Sequence, residues 1–202
     1  MAVNKHPNPN LTTIETDRLI IRRWKIDDLN DFYEYVKEPA VMLRANLIPY
    51  PNRSEALRLL NLYIQSDEFW AIVLKSTGQA LGQLKIYPDN NRGKYSQRNT
   101  AKFINYALAE KHWGNGYMTE ALKAAVEFAF TEMNTEILTA FHFPENTASR
   151  RVLEKCGFRY ETTLENGILG VDNEYHTAVY HSIMKDDYFN TGFKRFSSSK
   201  YK

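Results

Sequence analysis

The sequence predicts a fold of the α/β class (α+β), with strands and helices interleaved along the chain. Two stretches carry that prediction, each a strand running into the start of a helix. Phe103-Ile104-Asn105-Tyr106-Ala107-Leu108 alternates as a half-buried strand does. It is followed by Trp113-Gly114-Asn115-Gly116-Tyr117, after which Leu122, Ala125, Val126, Ala129, Phe130 and Met133 recur at helical spacing. Ile137-Leu138-Thr139-Ala140-Phe141-His142 reads as a second such strand. Asn146 and Gly157 then bracket a short helix as its N-cap and C′ residues. A third observation is the run of apolar residues 69–74 and 81–86 around Ser76-Thr77-Gly78, good turn chemistry between two strands.

The remaining elements follow in order. Residues 19–22 form an opening strand. A helix runs from the Asp27 cap to Val36, and a second covers residues 53–65. After Phe158 the chain supports a strand through Thr163 and another over residues 178–184. At 202 residues and 43% apolar composition, the chain is one domain or slightly more, with ample material for a core. Residues 1–13 are polar and read as a flexible N-terminal arm, residues 14–190 as a single domain, and residues 191–202 as a Ser-rich, basic tail with Phe193, Phe196 and Tyr201.

A net charge of +2 indicates no direct nucleic-acid partner. The single cysteine excludes an intramolecular disulfide, and no Cys/His cluster has zinc spacing, so no metal is expected. Cys156 falls among helical apolar positions and reads as a buried small hydrophobe. With no apolar run near 18 residues and no signal peptide, no membrane partner is expected and the protein is placed in the cytoplasm.

The chemistry concentrates at Gly114-Asn115-Gly116. A helix N-terminus leaves about four N–H donors unpaired and carries roughly half a positive charge, which suits a phosphate. Glycine allows the backbone to turn those donors inward and to approach a ligand closely. Asn115-Gly116 is also a hairpin signal, but helical spacing follows it rather than a strand. The chain has no Walker A run, and Thr119 stands where a dinucleotide fingerprint needs its third glycine. Nucleotide hydrolysis and hydride transfer therefore lose support.

Trp-Gly-x-Gly-Tyr-x-Thr-Glu-Ala at residues 113–121, Glu-Asn-x-x-Ser-x-x-Val-Leu-Glu-Lys-x-Gly-Phe at residues 145–158 and Thr-Asp-Arg-Leu-Ile-Ile-Arg at residues 16–22 together resemble the GNAT superfamily of acetyl-CoA-dependent N-acetyltransferases, and within it the RimJ/RimL-like group. The resemblance covers roughly residues 14–186. It implies a mixed, mainly antiparallel sheet splayed open beside the glycine loop, with helices on both sides and the cofactor's pantetheine arm in the opening. The cofactor implied is acetyl-CoA. The reaction implied is direct attack by an amine on the thioester, the acceptor being a protein N-terminus or a small amine such as a polyamine, amino acid or antibiotic. A non-catalytic acyl-CoA-binding module is the alternative from another class, and a homodimer is compatible with the resemblance.

The same resemblance implies residue roles. Trp113, Gly114, Asn115, Gly116, Tyr117, Met118 and Thr119 would hold the pyrophosphate. Leu108 and Ala109 would pair with the pantetheine amides and stabilise the thioester oxygen. Ser149 is the first candidate to assist the leaving thiolate, with Asn146 binding the pantetheine or positioning a water. Arg150 and Arg151 are candidates for the 3′-phosphate. Many relatives carry a tyrosine acid one turn beyond Ser149, where this chain has Val152-Leu153. Glu110, His112, Glu145, Glu174 and His176 are candidate bases by position alone, and Tyr50 and Trp70 candidate acceptor contacts.

Overall fold

The structure, a computed structural model, describes residues 12–190 and the backbone of residues 200–201. The greater part of the predicted N-terminal arm and tail, including Phe193 and Phe196, lies outside the described residues. A nine-stranded sheet with strand order β7-β8-β6-β5-β4-β3-β2-β1-β9 runs through the molecule. Its strands are β1 (Ile14–Glu15), β2 (Leu19–Arg23), β3 (Phe69–Leu74), β4 (Ala80–Pro88), β5 (Ala101–Leu108), β6 (Ile137–His142), β7 (Arg159–Leu169), β8 (Tyr175–Met184) and β9 (Lys200–Tyr201). Every neighbouring pair is antiparallel except β5 with β6.

Helices cover both faces. α1 (Leu29–Val36), α2 (Pro39–Arg44) and α3 (Arg53–Gln65) lie on one side, where Phe32, Tyr35, Leu60 and Trp24 pack on Ala71, Ala107 and Ala109 of the sheet. α5 (Tyr117–Glu132) and α6 (Thr147–Lys155) lie on the other, over Ile21, Ile72, Ile104 and Leu108. The short α4 (Lys94–Gln97) joins β4 to β5, and α7 (Lys185–Asn190) follows β8. α3 begins where Asn52 accepts a hydrogen bond from Ser54 N at 2.8 Å.

The parallel pair decides the shape. β5 and β6 are in register only at Ala101↔Ile137, Lys102↔Leu138 and Phe103↔Thr139. Beyond that, β5 stays with β4 as far as Gly82↔Leu108, while β6 stays with β8 as far as His142↔Val179. Each strand follows its outer neighbour, so the two diverge. Gly82 lets β4 and β5 approach: a Cβ there would sit 2.2 Å from the Ala107 carbonyl oxygen.

Several expectations need adjusting. The first helix begins at Leu29, because a 3-10 turn over Ile26–Asp28 occupies the start; there Asp28 receives Lys25 N–H and both Arg22 guanidinium nitrogens at 2.8 Å. α2 lies inside what reads as connecting chain, with Pro39 in its first turn. β7 runs six residues past Thr163, and the register shifts between Leu164 and Ile168. Trp70 is buried against Phe128 and donates its indole N–H to the Thr12 carbonyl, so it is a core residue rather than an acceptor contact. Tyr50 packs on the α1–α3 core.

One carboxylate joins the ends of the domain. Glu120, on α5, receives the Thr16 hydroxyl at 2.5 Å, Arg18 N–H at 2.9 Å and Arg18 Nε at 2.7 Å. It is 9% exposed, and losing it takes the acceptor from the buried Thr16 hydroxyl and from the half-exposed Arg18 together. Glu120→Ala is expected to lower stability by about 2 kcal/mol, a fall of about 4–8 °C in melting temperature for a domain of this size. A melting curve superimposable on wild type would contradict this.

Candidate active site

The glycine loop is built as the sequence requires. Gly114 and Gly116 have φ of 76° and 77°, the left-handed region open to glycine. Gly116 is the N-cap of α5, and the first intrahelical bond is Glu120 N to Gly116 O at 3.0 Å. The N–H groups of Tyr117, Met118 and Thr119 therefore precede the first helical rung and have no intrahelical acceptor. The loop is pinned from outside. Arg18 donates to the Asn115 carbonyl at 3.1 Å and its guanidinium lies 4.6 Å from the Tyr117 ring centroid. From within, the Asn115 amide donates to the carbonyls of His112 and Trp113.

The loop opens onto a cleft of about 300 Å³ where β5 and β6 part. Its walls are Ile104, Asn105, Tyr106 and Leu108 of β5, Phe141 of β6, the glycine loop with Met118 and Thr119, Asn146, Ala148, Ser149, Arg151, Val152 and Lys155 along α6, and Val41, Arg44 and Ala45 along the end of α2. Backbone polarity along β5 follows from its ladder. Ala109 N–H donates to Leu81 O at 2.9 Å, and antiparallel alternation then directs Ala107 and Asn105 to β4 as well. Past the last β6 pair at Phe103, the N–H and C=O of Tyr106 and the N–H of Leu108 face the gap. The Leu108 carbonyl accepts from Trp113 Nε1 at 2.6 Å, and the Arg44 guanidinium stacks 5.1 Å from that indole.

On α6, Asn146 caps the helix by accepting from Ser149 N at 3.1 Å. Ser149 Oγ lies 2.9 Å from the hydroxyl of Tyr106, a contact in which either oxygen can donate, and the Ser149 carbonyl lies 3.3 Å from the same phenol as its alternative acceptor. Burial pushes the Tyr106 phenol well above its ordinary range, so it keeps its proton throughout neutral pH. Cys156 is buried and its thiol is pushed up to about 12 by burial, which makes it an inert core residue.

The cleft thus gathers Leu108, Trp113, Gly114, Gly116, Tyr117, Met118, Thr119, Asn146 and Ser149 on one surface. Three expected contacts are not on it. The Ala109 N–H is already paired with Leu81. Asn115 braces the loop from behind. Arg150 is half exposed, on the side of α6 where Glu154 lies 3.7 Å away. The wall residues of α6 are Ala148, Ser149, Arg151, Val152 and Lys155, which recur at the three- and four-residue separations of a single helix face. Of the two arginine candidates Arg151 is the one on the cleft wall, and Lys155 is a second cation beside it. Of the five candidate bases only His112 lines the cleft; its Nε2 is buried with no hydrogen-bond partner among the described residues. Burial, then Lys111, holds its pKa below the usual imidazole value.

Tyr106 is a cleft residue that motif spacing did not single out. It sits 43 positions from Ser149, on a strand read only for its alternation. Arg44 was hidden in the same way, because α2 itself was not foreseen.

A glycine-hinged helix N-terminus beside a slot between two parting strands defines a protein that binds a long ligand with a phosphate end. Residues 18–159 match the family model described as "Acetyltransferase (GNAT) domain". The chain belongs to that family: it is an N-acetyltransferase, an acyltransferase enzyme that uses acetyl-CoA. It is 28% identical over 162 residues to "Uncharacterized N-acetyltransferase p20" of Bacillus licheniformis, covering 77% of this chain and 87% of that one. It is 22% identical over 183 residues to "[Ribosomal protein uS5]-alanine N-acetyltransferase" of Escherichia coli, covering 87% and 92%. Among solved structures it resembles spermidine N-acetyltransferase from Vibrio cholerae in complex with CoA and spermine, with a TM-score of 0.70 and 18% identity over 87% of this chain and 100% of that one. Among the described residues, no helix is long and apolar enough to cross a membrane, and no group of three or more His, Cys, Asp or Glu is placed to hold a metal.

Gly116→Val places a β-branched residue at φ 77°. A Cβ there would meet only Arg18 Nη2, at 3.6 Å, so the cost is conformational rather than steric. Calorimetric affinity for acetyl-CoA is expected to drop about 5- to 150-fold, since about 1–3 kcal/mol of strain acts on the loop that presents the donors. Wild-type affinity in a folded variant would remove the loop from the cofactor site.

Proposed function

We propose that this enzyme acetylates the N-terminal α-amine of a protein or peptide, as members of the RimJ/RimL-like group do. The observation that carries the proposal is the composition of the cleft wall. It holds Arg44, Arg151 and Lys155 and not one Asp or Glu among the described residues. A polyamine enters with several positive charges and needs carboxylates to replace its lost hydration. An α-amine has a pKa near 8 and is about one-tenth neutral at pH 7; an alkylamine near 10.4 is neutral in only about one molecule in 2,500. The wall offers nothing to hold the charged form, which favours the weaker base. The similarity to the uS5-alanine enzyme is consistent with this, and the similarity to a spermine-bound structure is why the wall, not a relative's name, is the argument.

Acetyl-CoA supplies the activated acyl group as a thioester. The residues present fit it. The N–H groups of residues 117–119 suit its pyrophosphate, with Arg151 and Lys155 supplying cations along α6. The Tyr106 and Leu108 N–H groups face the gap where pantetheine would run, and they take the role first given to Ala109. Asn146 borders the same gap.

The two faces of β5 divide the work. Tyr106 and Leu108 belong to the α5–α6 side, with Ser149, whereas Ala107 packs with Val41 and Trp113 on the α2 side. The cleft therefore has an acceptor side at α2 and a leaving-group side at Tyr106–Ser149. When the single Tyr106 phenol proton is given to Ser149 Oγ instead of the Ser149 carbonyl, the serine hydroxyl proton is free to turn into the cleft and solvate a thiolate. Complete proton transfer from the phenol is unfavourable. Its pKa stands at least about 1.5 units above a thiol's 8.5, a cost of about 2 kcal/mol or more. The pair therefore stabilises the thiolate by hydrogen bonding, and solvent delivers the proton. This also answers the absence of a tyrosine on α6, because the phenol comes from β5.

Tyr106→Phe and Ser149→Ala are each expected to lower kcat about 10- to 100-fold with little change in the KM for acetyl-CoA. Unaltered kcat in both would reduce the pair to packing. The acceptor class is read from a panel of alanyl peptides and spermidine with acetyl-CoA in excess. For the peptide, kcat/KM is expected to rise with pH and level off near pH 8, following the neutral amine. A rate still climbing toward pH 10, or turnover of spermidine alone, would contradict the α-amine acceptor.

A further inference from the structure

The end of α2 is fastened to three other elements by asparagine side chains. From β5, Asn105 Nδ2 donates to the Ala45 carbonyl at 3.3 Å. From the cap of α6, Asn146 Nδ2 donates to the Arg44 carbonyl at 3.4 Å. Asn46 then reaches outward to the β7–β8 hairpin, where its Nδ2 donates to Leu169 O at 3.3 Å and its Oδ1 accepts from Val171 N at 3.1 Å. One donor and one acceptor on a single amide reproduce a rung of sheet pairing, so the bridge specifies an orientation as well as a distance. Asn46 makes it from φ 54°, a left-handed conformation that asparagine and glycine tolerate and other residues do not.

The segment so held is the acceptor wall. Val41, Arg44 and Ala45 line the cleft on the α2 side, and Asn105 sits on the same lining beside Ala45. The hairpin has few other ties to α2. Most of β7 is exposed, and on the β8 side the hairpin end packs through His176, whose ring meets Phe143 at 5.5 Å. Among the described residues, Asn46 is the side chain that hydrogen-bonds one to the other.

We infer that Asn46 is a positioning residue for the amine acceptor: by joining the α2 end to the β7–β8 hairpin it sets the geometry of the acceptor side, while the acetyl-CoA side stands without it. This rests on the N-acetyltransferase activity and on the assignment of the α2 side to the acceptor. The cofactor loop has its own anchors in Glu120 and Arg18, and among the described residues its tie to the α2 end is the stacking of Arg44 on Trp113, which does not involve Asn46.

The left-handed φ allows a clean test. Asn46→Gly keeps the backbone conformation and removes only the bridge, whereas Asn46→Ala removes both. Steady-state kinetics are measured for each variant with whichever acceptor the wild type turns over, alanyl peptide or spermidine, and with acetyl-CoA. Asn46→Gly is expected to raise the acceptor KM about tenfold, the order of two lost polar contacts. Its kcat and acetyl-CoA KM stay within about twofold. Asn46→Ala shows at least the same rise together with a lower melting temperature. An unchanged acceptor KM in Asn46→Gly overturns the inference, and so does a kcat that falls in step with a rise in both KM values, which would mark a general loss of structure. Spermidine turnover without peptide turnover removes the α-amine acceptor alone, because the Asn46 effect is then read on spermidine. Acetyl-CoA binding with no turnover of either amine removes both.

Discussion

The pairing of β5 with β6 governs this molecule, because it stops after three residue pairs. A parallel pair inside an otherwise antiparallel sheet has no hairpin to hold its open end. Here each strand is bound more extensively to its other neighbour, β5 to β4 and β6 to β8, and those neighbours draw them apart. Divergence leaves backbone groups of Tyr106 and Leu108 facing a gap instead of a strand. In a closed sheet such groups would be a liability. In this one they form a row of donors and acceptors suited to an extended amide chain such as pantetheine.

Two consequences follow from an opening in the middle of a sheet. It communicates with both faces, so a ligand held in it can be approached from α2 and departed from toward α6. It also needs its rim fixed, since the strands themselves no longer do so. At the phosphate end, Glu120 ties α5 to the β1–β2 turn through Thr16 and Arg18, and Arg18 continues to the loop carbonyl of Asn115. At the other end, polar side chains of Asn46, Asn105 and Asn146 hold α2 against β5, α6 and the hairpin. The glycines that shape the loop have room around them; what they contribute is the sign of φ, and the surroundings do the anchoring.

Much of this was legible in the sequence because it is local. The Asn146 cap, the Gly157 terminus, the Ser76-Thr77-Gly78 turn and the positive-φ glycines of the loop each depend on a few consecutive residues, and all lie where propensity places them. What was not legible depends on distance or phase. The Tyr106–Ser149 and Arg18–Glu120 contacts join positions 43 and 102 apart, and nothing in either segment alone announces its partner. Arg150 and Arg151 differ by one position, about 100° around a helix, and only the face shared with Ala148, Val152 and Lys155 separates them. β7 was read short because Glu165-Asn166-Gly167 has the composition of a turn, whereas the strand continues through it with Asn166 at φ 50°. α2 has six residues, too few for a period to show.

The central claim is that the gap between β5 and β6 holds acetyl-CoA with its phosphates at the start of α5. A crystal structure of the protein grown with acetyl-CoA tests it most directly. The account predicts pyrophosphate density against the N–H groups of residues 117–119, pantetheine alongside Tyr106 and Leu108, and the sulfur on the side of Ser149. Acetyl-CoA bound elsewhere, or strands β5 and β6 closed on each other with the cofactor excluded, would contradict it.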